Sequence, residues 1–168
     1  MNKKTMTIAV IILWALITFF IVIKNEYIIA SGKEVLLETV PVDPRDILMG
    51  DYVILNYKIG QLPIKYFYYK NGEEVYVTLK QDERNIASLN KIQSEKPENG
   101  LFIKGKIGGC NTTIPLFKMG RCINYGIESY YVKEGTGRKL ENNLRQGALV
   151  RTVINKNGEA KVKGFVNR

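Results

Sequence analysis

Pro41-Val-Asp-Pro-Arg-Asp-Ile-Leu-Met-Gly-Asp-Tyr-Val-Ile-Leu-Asn-Tyr57 packs a rigid turn, a glycine-acid pivot and an apolar strand into one short run. Each proline fixes its own φ and pushes the residue before it, Val40 or Asp43, toward extended geometry, so the chain turns over Asp43 to Asp46. Gly50 then restarts an extended segment. From there Asp51, Val53, Leu55, Tyr57 and Ile59 fall on one face of a period-two strand, and Tyr52, Ile54, Asn56 and Lys58 on the other. The first face is apolar apart from the Asp51 carboxylate at its head. A strand of this kind is buried on one side, and the chain around it reads as sheet built onto it.

Downstream, the same alternation recurs between turn signals. Ile64 to Lys70 and Glu73 to Lys80 flank Asn71-Gly72, whose two residues accept the positive φ of a tight hairpin turn. Asp82 to Asn85 is a polar turn, and Ile86 to Ile92 reads as strand in preference to a short helix. After the turn cluster Lys96 to Gly100, extended segments are expected at Leu101 to Ile107, Thr112 to Lys118 and Asn124 to Val132. Leu140 and Leu144 stand one helical turn apart, and Gly147 can close a short helix there. A second hairpin, Ala148 to Lys156 and Glu159 to Val166, is joined by Asn157-Gly158. Glu34 to Val42 is the first strand. Short strands at this spacing with one small helix indicate a mainly β domain, an antiparallel barrel or sandwich, over residues 33–168.

Upstream, Met6 to Ile23 runs for eighteen residues without a charge, between Lys3-Lys4 and Lys24. That is long enough to span a bilayer as a helix, which predicts a transmembrane segment at 6–23 and a helical linker at 24–32 stopped at Ser31-Gly32. A core helix would carry a polar face over such a length. A cleaved signal peptide is the closer competitor, but its only cut, after Ala30, puts Ile28 where a small residue is wanted. Residues 1–5 form a short basic head that favours the cytoplasmic side, leaving the domain extracytoplasmic.

The 168 residues carry a net charge of +9, two cysteines and no histidine. Without histidine, Ser/His/Asp and Cys/His catalysis is excluded, and the commonest transition-metal ligand is missing. Two cysteines cannot close a thiolate zinc site unaided. No cofactor and no metal is expected. The basic residues are dispersed, which suggests attraction to anionic lipid or wall polymer without a specific site, and nucleic acid is not an expected partner.

Residues 50–57, GDYVILNY, fit the pattern GDYxxLxY and resemble the GDYXXLXY proteins. The resemblance continues in Tyr125-Gly-Ile-Glu128, in the aromatic strand after it and in Glu134-Gly-Thr-Gly-Arg138, and so covers nearly all of 33–166. It implies an amino-terminal membrane helix with an extracytoplasmic domain of uncharacterised activity. It brings no catalytic residues with it.

The motif residues Gly50, Asp51, Tyr52, Leu55 and Tyr57, with Asp43, Pro44, Arg45, Glu128 and Arg138, are the candidate site. Asp51 could join Asp43, Asp46 or Glu128 at a barrel mouth, where oxygen donors suit a ligand or calcium. Alternatively it accepts backbone N–H bonds in its own turn or pairs with Arg45 or Arg138, as turn acids commonly do. A membrane helix followed by a proline turn and Gly-Asp-Tyr-Val also resembles the start of a signal peptidase. In that family a serine nucleophile stands three residues before the proline, with a lysine base on a later strand, whereas here that place is Pro41. An anchored hydrolase is therefore the alternative to a binding or scaffolding protein of the envelope, and catalysis the less expected of the two.

Cys110 and Cys122 form a disulfide or remain two buried thiols. The aromatics at 66–69 and 130–131 are expected in the core or at a dimer contact. Trp14, Thr7 and Thr18 give the anchor a face that could meet another integral membrane protein, besides membrane lipid itself.

Overall fold

The structure is a computed structural model and describes residues 2–40, 48–49, 52–110, 120–132, 144 and 147–166. Helix α1, Lys3–Ser31, is a single rod whose apolar residues from Met6 to Ile23 lie exposed. It is long and apolar enough to cross a membrane. Its end is seated on the domain: Ile28 is buried and Lys24 pairs with Glu159 at 3.1 Å. Gly32 stops the helix by turning extended while its N–H donates to the Ile28 carbonyl at 3.1 Å. Only glycine fits, because a Cβ there would lie 2.2 Å from Val153 Cγ1.

Among the described residues ten strands follow: β1 Lys33–Glu38, β2 Leu48–Met49, β3 Tyr52–Ile54, β4 Glu74–Gln81, β5 Ile86–Gln93, β6 Phe102–Gly109, β7 Arg121–Asn124, β8 Ser129–Tyr131, β9 Leu149–Ile154 and β10 Ala160–Val166. Seven form one sheet in the order β10-β9-β1-β5-β4-β6-β7, and β2-β3-β8 form a second. Every pairing is antiparallel except β1 with β5. The domain is a mainly β, half-barrel or sandwich-like body in which Val35, Leu37, Val75, Val77, Ile103 and Val150 of the large sheet share one core with Val53 and Leu55. Period-two alternation built this core. The expected motif strand is shorter than its alternation suggests: β3 ends at Ile54, Tyr57 makes one isolated bridge to Thr39, and Lys58–Gly60 is a 3-10 turn, although Val53, Leu55, Tyr57 and Ile59 are all buried while Ile54, Asn56 and Lys58 are not.

The Asn157-Gly158 hairpin joins β9 to β10 as the sequence indicates, with Gly158 at φ +79°. Gly147, also at φ +79°, donates its N–H to the carbonyl of the helical, buried Leu144 at 3.1 Å. The expected strand at Thr112 to Lys118 lies outside the described residues.

Two further expectations are corrected. Ile64 to Lys70 is not a strand, and Asn71-Gly72 does not join a hairpin: Ile64–Tyr66 is a single 3-10 turn after Pro63, which lacks the N–H a ladder needs. Gly72, at φ +84°, instead donates to the Ile107 carbonyl on β6 at 2.8 Å. The stretch Asn124 to Val132 is likewise not one strand. It breaks into β7 and β8 at Tyr125 to Glu128, where Gly126 takes φ +77° and the chain passes from one sheet to the other.

Candidate functional site

The point of crossing between sheets brings the two family-like motifs together. Leu55 and Tyr57 both point inward, at 0% and 4% exposure, so the Tyr57 hydroxyl must find a partner inside. It donates to the Ile127 carbonyl at 3.0 Å. The Tyr125 hydroxyl makes the return bond, donating to the Ile59 carbonyl at 2.6 Å. Each tyrosine thus stands on one segment and closes on the other, a reciprocal latch, and the Leu55 N–H adds a bond to the Glu128 carbonyl at 2.7 Å. Burial, and secondarily the negative charge of Glu128, pushes both phenols well above their ordinary titration range. They are neutral donors at any physiological pH.

Glu128 is committed to the same turn. Its two carboxylate oxygens accept the N–H groups of Tyr125 and Gly126, the latter at 2.8 Å. Gly105 on β6 makes room for the latch, because a Cβ there would lie 2.5 Å from Ile123 Cγ2 and 2.9 Å from the Tyr125 ring. Asp43, Pro44, Arg45, Gly50, Asp51 and Arg138 lie outside the described residues, and Tyr52 enters only through its backbone, paired with Met49 and Tyr131. The structure therefore gathers Leu55, Tyr57 and Glu128, and it gathers them for packing and hydrogen bonding.

Sequence reasoning missed three residues that frame this region. Thr39, 1% exposed, accepts the Ala148 N–H on its hydroxyl at 2.8 Å and pins the end of β1 to the start of β9. Tyr125 was visible only as a motif letter. Arg121 donates from its guanidinium to the carbonyls of Phe67, at 2.7 Å, and Tyr69, and to Asn71 Oδ1 at 3.2 Å. It thereby replaces the strand partner that residues 64–70 do not have.

Held this way, that segment divides its aromatics. Tyr69 is buried and Tyr66 partly so, but Ile64 at 83% and Tyr68 at 69% exposure face outward with Phe67, flanked by the exposed Lys65 and Lys70. The expectation that aromatics 66–69 are all core or dimer contact thus holds within the chain only for Tyr66 and Tyr69. Of the second pair, Tyr130 packs edge-to-face on Phe165 with centroids 5.0 Å apart, while Tyr131 is exposed. Cys110 and Cys122 are bridged, with Cα atoms 5.0 Å apart, tying the end of β6 to β7. Among the described residues no group of three or more Cys, Asp and Glu could hold a metal ion.

An apolar amino-terminal rod carrying a β body, with one signature strand latched to a sheet-crossing turn, defines a class of membrane-anchored β protein. The chain belongs to the GDYXXLXY protein family, whose model matches residues 14–165. Comparison with curated proteins and with solved structures finds no match.

Proposed function

We propose that this protein is an anchored binding or scaffolding module whose domain stands on the extracytoplasmic side and meets a protein partner through the surface formed by Ile64, Phe67 and Tyr68. The observation that carries the reading is a division of labour. The hydroxyls of Tyr57 and Tyr125 and the carboxylate of Glu128 are committed to internal hydrogen bonds, while large apolar side chains are left exposed at 64–68. Exposed aromatic and aliphatic side chains with a polar rim are the usual composition of an interaction surface.

The anchor is retained in this reading. A cut after Ala30 would strip away Ile28, which is buried against the domain, and the Lys24 to Glu159 pair. The extracytoplasmic side is supported by the basic head Lys3-Lys4 and by the Cys110 to Cys122 bridge, since disulfides persist in oxidising compartments. A transmembrane partner is not required by the anchor's polar residues: Thr7 and Thr18 donate back to the Lys3 and Trp14 carbonyls at 3.1 and 2.9 Å.

The test is site-specific photocrosslinking in native membranes, with benzoylphenylalanine at Tyr68 compared with the same group at Lys80 on β4. A defined adduct at position 68 that disappears in Ile64→Glu supports the reading. Equal labelling at both positions, or turnover of a peptide or ester by the purified chain, would overturn it.

A further inference from the structure

Where the helix meets the domain, a cleft of about 550 Å³ opens between α1 and the strands β6 and β10. Its walls differ along the helix. Phe20 and Ile21 line one end, followed along the helix by Lys24 and then Ile28, with Lys104, Lys106, Lys161 and Glu159 contributed by the domain.

Depth decides what such a cleft can meet. Met6 to Ile23 rise roughly 27 Å as a helix, about the thickness of a bilayer's hydrocarbon, so Ile23 falls at the hydrocarbon boundary. Phe20 and Ile21 are then about 3 to 5 Å on the acyl side of that boundary, and Ile28 roughly 7 Å beyond it among the headgroups. The cleft therefore straddles the lipid phosphate level, apolar below and cationic above.

Its charges are not all balanced. Lys24 is paired with Glu159, and Lys104 with Glu74 at 2.8 Å. Lys106 stands across from Glu74, whose carboxylate is already bonded to Lys104, and neither Lys106 nor Lys161 forms a salt bridge among the described residues, though both line the cleft. Two ammonium groups outside any salt bridge, beside an apolar wall, match the phosphate and first acyl carbons of one lipid.

We infer that this cleft binds the headgroup of an anionic phospholipid of the adjoining leaflet, with the phosphate held by Lys106 and Lys161 and the upper acyl chain against Phe20 and Ile21. The bound lipid fixes how the domain sits on the bilayer, independently of what binds at 64–68. A zwitterionic lipid offers the same phosphate but also a cation that those lysines repel.

The full chain, reconstituted in phosphatidylcholine nanodiscs containing a trace of spin-labelled lipid, tests this. The expected result is about a thirtyfold preference for spin-labelled phosphatidylglycerol over phosphatidylcholine, on the scale of two surface lysines. The preference should fall close to unity in K106Q/K161Q and stay unchanged in K80Q/K91Q, which removes two exposed lysines elsewhere on the sheet. Preference retained in K106Q/K161Q would mean diffuse attraction to the whole basic surface and would overturn the site. So would displacement of the lipid by millimolar glycerol phosphate, which would assign the cleft to a soluble phosphate. Should K106Q/K161Q not fold, the otherwise unaltered chain with benzoylphenylalanine at Phe20 reads the same question. Crosslinking biased toward phosphatidylglycerol supports the site and unbiased crosslinking refutes it.

Discussion

The reciprocal tyrosine latch makes a prediction with two readouts, one at neutral pH and one in alkali. Tyr57→Phe or Tyr125→Phe removes a hydroxyl from a buried site and leaves the carbonyl of Ile127 or Ile59 short of a donor. Losing the bond and stranding its acceptor costs about 2 kcal/mol for each substitution. For a domain of this size that lowers the melting temperature by about 6 °C. Both bonds tie the same two segments, so the double variant should depart from additivity by at least 0.5 kcal/mol, on the order expected for contacting residues.

The alkaline readout follows from the raised phenol pKa values. A phenol whose pKa is raised by folding contributes stability that is intact below its unfolded value, about pH 10, and is lost as pH climbs from there toward the folded value. In that window the unfolded chain releases a proton that the native chain keeps, so stability falls by about 1.4 kcal/mol per pH unit for each latched tyrosine. Phenylalanine has nothing to titrate. The deficit of Y57F/Y125F, about 4 kcal/mol at pH 8 from two such losses, should therefore shrink to roughly 1 to 2 kcal/mol by pH 11. Urea unfolding of the full chain in detergent micelles, followed by the sheet circular dichroism signal at several pH values, measures both. A single variant within 0.3 kcal/mol of wild type, or a deficit that does not change between pH 8 and 11, would refute the latch as drawn.

Two further expectations concern the same crossing and its neighbour. Glu128→Ala should free the N–H groups of Tyr125 and Gly126, cost about 2 kcal/mol, and show as loss of hydrogen-exchange protection at those two amides while β4 and β5 keep theirs. Reduction of Cys110 to Cys122, verified by intact mass and peptide mapping, should lower stability by about 3 kcal/mol, the loop-entropy value for a bridge of separation 12. An unchanged urea midpoint after complete reduction would contradict it.

What the sequence could and could not say divides along the reach of the forces involved. The membrane rod follows from composition, because eighteen consecutive uncharged residues leave a helix no polar face to turn toward water. The mainly β character is equally local. Val53, Leu55 and Tyr57 are buried while Ile54 and Asn56 between them are less so, and a period of two can bury one side only as extended chain. Asn157-Gly158 needed nothing beyond the tolerance of its residues for positive φ. The same rule failed at Asn71-Gly72. There the turn formed, but Pro63 and the distant Arg121 decided what came before it, and an arginine's choice of three acceptors some fifty residues away leaves no periodic trace.

Tertiary structure alone decided the rest. That Tyr57 and Tyr125 hold each other's segments depends on two hydroxyls arriving within 3.0 and 2.6 Å of carbonyls far along the chain. Glu128 likewise caps its own turn because its backbone folded back beneath it. The parallel contact of β1 with β5, and the seating of the anchor over Lys106 and Lys161, arise from closure of the whole sheet. Periodicity and composition report what each segment prefers to bury, whereas a hydrogen bond between remote groups is specified only once every intervening segment has been placed.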